Sequence, residues 1–154
     1  IDLLSKSKDK ITGVPTGFVD FDKLTSGLQP SDLVIVAGRP SMGKTVLGVN
    51  MAESAAIKHG APVLIFSLEM PSDAIALRLI SSLGHIDQQK LRTGQLTDSD
   101  WARVSSAMNV ISGANIYIDD TPSLSPLDIR ARARRMLKEH GKIGLIVIDY
   151  LQLP

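Results

Sequence analysis

The sequence predicts an α/β domain in which a mostly parallel sheet is covered by helices on both faces. Three observations carry that prediction. Four short runs (residues 33–37, 62–67, 115–118 and 144–148) are apolar almost throughout, which suits strands buried on both sides rather than the alternation of a half-exposed sheet. Segments of helical length separate them, as parallel strands require a crossover. The first run leads into Gly38-Arg39-Pro40-Ser41-Met42-Gly43-Lys44-Thr45, which fills every specified position of the pattern G-x-x-x-x-G-K-[ST].

In chain order, the charged opening stretch reads as the end of a linker segment over residues 1–12, with the N-terminal part of the domain taking residues 13–154. The turn cluster Thr12-Gly13-Val14-Pro15-Thr16-Gly17 precedes a short helix over 18–24, and residues 27–32 turn the chain into the first strand. The helix after the glycine loop is expected over 44–58, with His59-Gly60 as its stop. After the second strand, Pro71 opens a helix that ends near Gly84. A short helix over 87–92 follows, then a longer one from Thr97, where Asp100 three residues on makes a capping arrangement. The third strand leads to Ser125-Pro126-x-Asp128, a helix start with serine as cap and proline in the first turn. That helix stops at His140-Gly141 before the fourth strand.

At 154 residues and 44% hydrophobic, the chain can bury one core. A formal net charge of +1 announces no basic field for nucleic acid, although a local groove would suffice. Cysteine is absent, which rules out disulfides and thiolate metal sites and fits a reducing cytoplasm. No apolar run approaches the ~20 residues of a membrane span. The opening residues have no apolar core of a secretory signal. A cytoplasmic protein with no membrane partner is expected.

Strand, glycine loop and helix together aim backbone N–H groups and a helix N-terminus at one anion. Gly38 and Gly43 are expected to supply backbone angles and close phosphate approach. Lys44 would meet the β/γ-phosphates and the Thr45 hydroxyl would ligate Mg²⁺. A chance match has odds of roughly one in a hundred for a chain this long, and the strand lead-in lowers them. The loop therefore reads as a nucleoside triphosphate site. Two acids stand at strand ends, where ligands of parallel sheets bind. Glu69 lies just past the second strand, and Asp149 closes the fourth in a four-apolar-then-Asp pattern. Hydrolysis of ATP needs one carboxylate on the Mg²⁺ shell and another to polarise water. Against this, Glu69 also suits the positive end of the helix that Pro71 opens.

Other residues carry less. Asp119-Asp120 also end a strand, but such exits often carry Asp for turn chemistry. His59, His85 and His140 lack metal-ligand spacing. Arg130, Arg134 and Lys138 make a basic stripe on one helix face, read as solvated rather than as a contact to DNA or a subunit. Trp101, Met51 and Met108 read as packing residues, and 4% aromatics argue for no base-stacking platform.

Five separated segments, Val14-Pro15-Thr16-Gly17-Phe18, Gly27-Leu28-Gln29-Pro30, the loop with its Arg-Pro-Ser-Met interior, Ser67-Leu68-Glu69-Met70 and Asp149-Tyr150-Leu151-Gln152-Leu153, together resemble the bacterial replicative DNA helicases of the DnaB type. The resemblance runs from about residue 11 to 153. It implies a RecA-like ATPase domain of a homohexameric ring that hydrolyses ATP at subunit interfaces and moves along single-stranded DNA, with primase and a helicase loader as partners. It also implies that Lys44 binds phosphates, Thr45 ligates Mg²⁺, Glu69 activates water and Asp149 supports the Mg²⁺; Gln152 belongs to the same motif, and no role is assigned to it. DNA-binding loops, later strands and an arginine reaching into a neighbour's site are expected beyond residue 154, so the sheet should expose apolar surface or an unpaired edge unless something covers it. Two alternatives stand beside the helicase motor: a RecA-type recombinase relative, and a nucleotide-binding module without turnover.

Overall fold

Of the four apolar runs, three pair. The computed structural model describes residues 12–150, so all of the opening linker stretch but Thr12, and the Leu151-Gln152-Leu153 end of the last motif, lie outside it. Among the described residues, β1 (Val63–Ser67) lies between β2 (Ile116–Asp119) and β3 (Leu145–Asp149), all parallel. Six α-helices connect or flank them: α1 (Val19–Thr25), α2 (Lys44–Glu53), α3 (Ser72–Gly84), α4 (Gln88–Thr93), α5 (Asp98–Gly113) and α6 (Pro126–His140).

The expected strand over residues 33–37 is a correction. It has no ladder partner among the described residues, and Leu33 and Ile35 are 82% and 73% exposed. An apolar run reports what a segment wants to bury, whereas a strand exists only where a neighbour takes up its N–H and C=O groups. β1 already has a neighbour on each side, and the outer edge of β3 meets no described strand. Ile146 of β3 is correspondingly 41% exposed.

Helices cover both faces of the sheet, as expected. In-register neighbours share a face, so Val63, Ile116 and Leu145 line up with Ile65, Ile118 and Val147. That face carries the core, packed against Val49, Ala52, Ala55 and Ala56 on the α2 side and Ile75 and Leu79 of α3. On the other face, β2 meets α6: Tyr117 stacks near His140, and Asp119 pairs with Arg132. The connections explain this division. The β1-to-β2 and β2-to-β3 crossovers run in opposite directions across the sheet, and right-handed crossovers then fall on opposite faces. Leu64 and Phe66 are as buried as Val63 and Ile65. Phe66→Ala is expected to cost about 3–5 kcal/mol, a large share of the ~5–15 kcal/mol typical of a domain. The midpoint of urea unfolding measures it, and a shift worth under 1 kcal/mol would mean the ring is not in the core.

Local signals held to within a residue or two. Thr97 and Asp100 form a reciprocal capping box on α5, as do Ser125 and Asp128 on α6. The helix after the glycine loop differs: after Glu53 it widens into a π-helical turn, Ser54–Lys58, before Gly60. Trp101 and Met108 are corrections too, being 53% and 52% exposed. Helix α5 buries Asp100, Val104 and Ala107 instead, at spacings of four and three. That stripe leaves Trp101 and Met108 on a flank. Arg130, Arg134 and Lys138 are exposed along α6.

Candidate nucleotide site

The glycine loop ends in a left-handed residue, Gly43, with φ +89°, which caps the start of α2. A side chain there would be strained, so this glycine serves backbone angle. Gly38 serves differently from expectation. Its φ lies outside the left-handed range, and what a Cβ would meet is Lys44 Cγ at 3.4 Å. Its absence of side chain leaves room beside the Lys44 stem.

Gly48 sets the position of α2 against the sheet. A Cβ on it would lie 3.2 Å from Val147 Cγ1 of β3. Glycine inside a helix costs about 1 kcal/mol relative to alanine, and here it permits close approach of helix to strand. Thr45 lies one turn before Gly48, on the same helix face. Asp149 lies two residues after Val147, on the same strand face. The close approach therefore brings Thr45 to Asp149, and the Thr45 Oγ1 hydroxyl donates to Asp149 Oδ2 at 2.9 Å across 104 positions of sequence. Lys44 Nζ sits 5.4 Å from the centre of the Tyr150 ring, within cation–π range. Tyr150 carries no role among the sequence-based expectations. An aromatic directly after a strand-end acid was the available signal.

Glu69 reaches the same end of the sheet by backbone. Ser67 is in register with Asp149, and Leu68 N–H donates to Asp149 O at 2.8 Å. The turn is closed by Ser67 Oγ donating to Met70 O at 2.6 Å. Glu69 itself is exposed. Arg39, Pro40, Ser41 and Met42 are exposed in the loop. A hollow of about 460 Å³ beside it is lined by Gly38, Met42, Gly43, Lys44, Leu47 and Asn50, among others. Thr45, Glu69 and Asp149 do not line it. A second hollow of about 240 Å³, lined by Val49, Asn50, Arg78 and Gln88 among others, holds neither loop residues nor strand-end acids.

Asp119 and Asp120 do not form a paired carboxylate site. Asp119 accepts from Arg132 Nη1 at 2.6 Å and from Thr121 N–H at 3.0 Å. Burial opposes its ionisation, but those donors prevail and hold its carboxyl below the usual range. Asp120 turns the other way and accepts from Ser72 N–H at 2.8 Å. Backbone and hydroxyl donors of Ser72 likewise keep the Asp120 carboxyl low.

Mg²⁺ takes oxygen ligands, often one or two carboxylates with waters and substrate phosphates completing the shell. The Thr45 hydroxyl and Asp149 carboxylate are such oxygens, already side by side. No cluster of three or more His, Cys, Asp or Glu side chains suited to a metal occurs among the described residues. The donor set thus fits an ion that arrives with a phosphate rather than one caged by protein alone.

The family model described as "DnaB-like helicase C terminal domain" matches residues 13–154. The chain belongs to that family. The replicative DNA helicase DnaB of Pasteurella multocida (strain Pm70) is 54% identical over 157 residues, covering 99% of the chain and 34% of the relative. That of Geobacillus stearothermophilus is 51% identical over 153 residues, with the same coverage of 99% and 34%. The chain thus spans about a third of the length of these relatives. Among solved structures, the ATPase domain of G40P superposes with a TM-score of 0.90 at 32% identity, over 97% of this chain and 54% of that one. A DnaB-like replicative helicase studied with its primase interactions gives 0.89 at 32% identity, over 97% and 37%. The fold of this DnaB-type domain is therefore that of the RecA-like ATPases. None of its described helices is long and apolar enough to cross a membrane.

Proposed function

We propose that residues 13–154 form the ATP-binding part of the motor of a ring-shaped replicative DNA helicase, which couples ATP hydrolysis to movement along single-stranded DNA and unwinding of the duplex. The observation that carries this is the Thr45–Asp149 hydrogen bond, because it joins the glycine loop to the strand-end acid; the Leu68 N–H bond to Asp149 O brings the turn that carries Glu69 to the same end of the sheet. The loop N–H groups and Lys44 would hold the β/γ-phosphates. Thr45 and Asp149 would hold Mg²⁺, the Thr45 hydroxyl turning its proton away from Asp149 to offer a lone pair. When bound, the ion neutralises phosphate charge that develops during transfer. Glu69, exposed in the turn after β1, would orient the attacking water and accept its proton.

A homohexamer, single-stranded DNA, primase and a helicase loader are the partners proposed for the complete protein; the solved DnaB-like helicase with its primase interactions supports primase among them. The test is ATP hydrolysis by the complete protein with and without single-stranded DNA, alongside a strand-displacement assay. DNA-stimulated turnover with unwinding is expected. Turnover indifferent to DNA, or strand exchange in place of unwinding, would sink the helicase reading. For residues 1–154 alone we expect nucleotide binding without DNA-stimulated turnover.

A further inference from the structure

The turn that carries Glu69 is tied at both ends to other strands. At its start, Leu68 N–H donates to Asp149 O of β3 at 2.8 Å. At its end, Ser72 N–H, the first residue of α3, donates to Asp120 Oδ2 just past β2 at 2.8 Å. Helix α3 has no cap of its own: its N-cap residue is Pro71, which offers no side-chain acceptor. The capping group comes instead from 48 residues further along the chain. Asp120 is itself held in place, because the preceding Asp119 is clamped to α6 through Arg132 at 2.6 Å and to Thr121. A cap made within α3 would steady the helix alone. A cap made from β2 also fixes where the helix begins relative to the sheet, and so where the turn over residues 68–71 stands.

We propose that Asp120 is a positioning residue for ATP hydrolysis, holding the N-terminus of α3 so that Glu69 stands at the nucleotide site. The inference rests on the reading of Glu69 as the group that activates water. Displacement of such a group by about 1 Å can cost on the order of 100-fold in rate. Loss of one of two ties should cost less.

The test is steady-state ATP hydrolysis by the complete protein carrying Asp120→Ala, Asp120→Asn or Ser72→Pro, each alone and with Glu69→Gln. Asp120→Ala removes the acceptor. Asp120→Asn keeps a carbonyl oxygen for the same N–H. Ser72→Pro removes the donor at the first helical position, where proline is tolerated, and leaves the carboxylate intact. Expected are a roughly tenfold lower kcat for Asp120→Ala and Ser72→Pro, with KM and equilibrium nucleotide affinity within about twofold. Asp120→Asn should restore kcat, and neither disruptive change should slow Glu69→Gln further. A kcat within twofold of the parent in both disruptive variants overturns the proposal, as does a loss confined to KM or one that Asp120→Asn shares. If Glu69→Gln itself turns over normally, the water-activating role of Glu69 fails, and the positioning role falls with it.

Discussion

Glu69→Gln is expected to lower ATP turnover by roughly 100-fold or more while nucleotide still binds. The carboxylate can take up a proton from the attacking water, and the isosteric amide cannot. Glu69 is exposed in a turn whose bonds are made by Leu68, Ser67 and Met70, not by its own side chain. The substitution therefore leaves the turn and the fold in place, and the loss should fall on kcat. Phosphate release and equilibrium binding of ATP, measured on the same preparation, separate the two. Turnover within threefold of the unmodified protein would remove Glu69 from the role.

Lys44→Ala is expected to act on the other parameter. Its ammonium would meet phosphate oxygens, and a charge-assisted hydrogen bond of that kind contributes about 1.5–3 kcal/mol, or roughly 10- to 100-fold in affinity. Turnover should fall with it. Lys44 Nζ lies 5.4 Å from the centre of the Tyr150 ring, a contact of about 0.5–1 kcal/mol at an exposed site, so little folding stability should be lost. Titration with ATP checks the first statement, and thermal unfolding without nucleotide checks the second. Unchanged ATP affinity would mean that the loop does not cradle phosphate as proposed.

Much of this fold was legible because its signals are local. The Thr97–Asp100 and Ser125–Asp128 capping boxes form as the spacing implies, since both partners lie within one turn. Strands β1, β2 and β3 stand where the apolar runs are, and Asp149 ends β3 as its pattern implies. The misses share a cause. Residues 33–37 are apolar but have no described ladder partner, and pairing is not a property of a single segment. Trp101 and Met108 are apolar residues on a helix whose buried stripe is set by what α5 packs against, which residue type alone does not report. Asp119 and Asp120 looked like one feature in sequence, yet one pairs with α6 and the other caps α3.

The sequence by itself determined the fold class and pointed to a nucleoside triphosphate as the ligand to test, because a glycine loop, a lysine and alternating apolar and helical segments act through short-range geometry. It also marked both strand-end acids. Only the tertiary structure decided which groups meet. Gly48 lets α2 approach β3 closely enough for Thr45 to reach Asp149, and Asp120 arrives at α3 from another strand. Those contacts span 104 and 48 residues. At such separations the chain between, not the residue types at its ends, sets the distance.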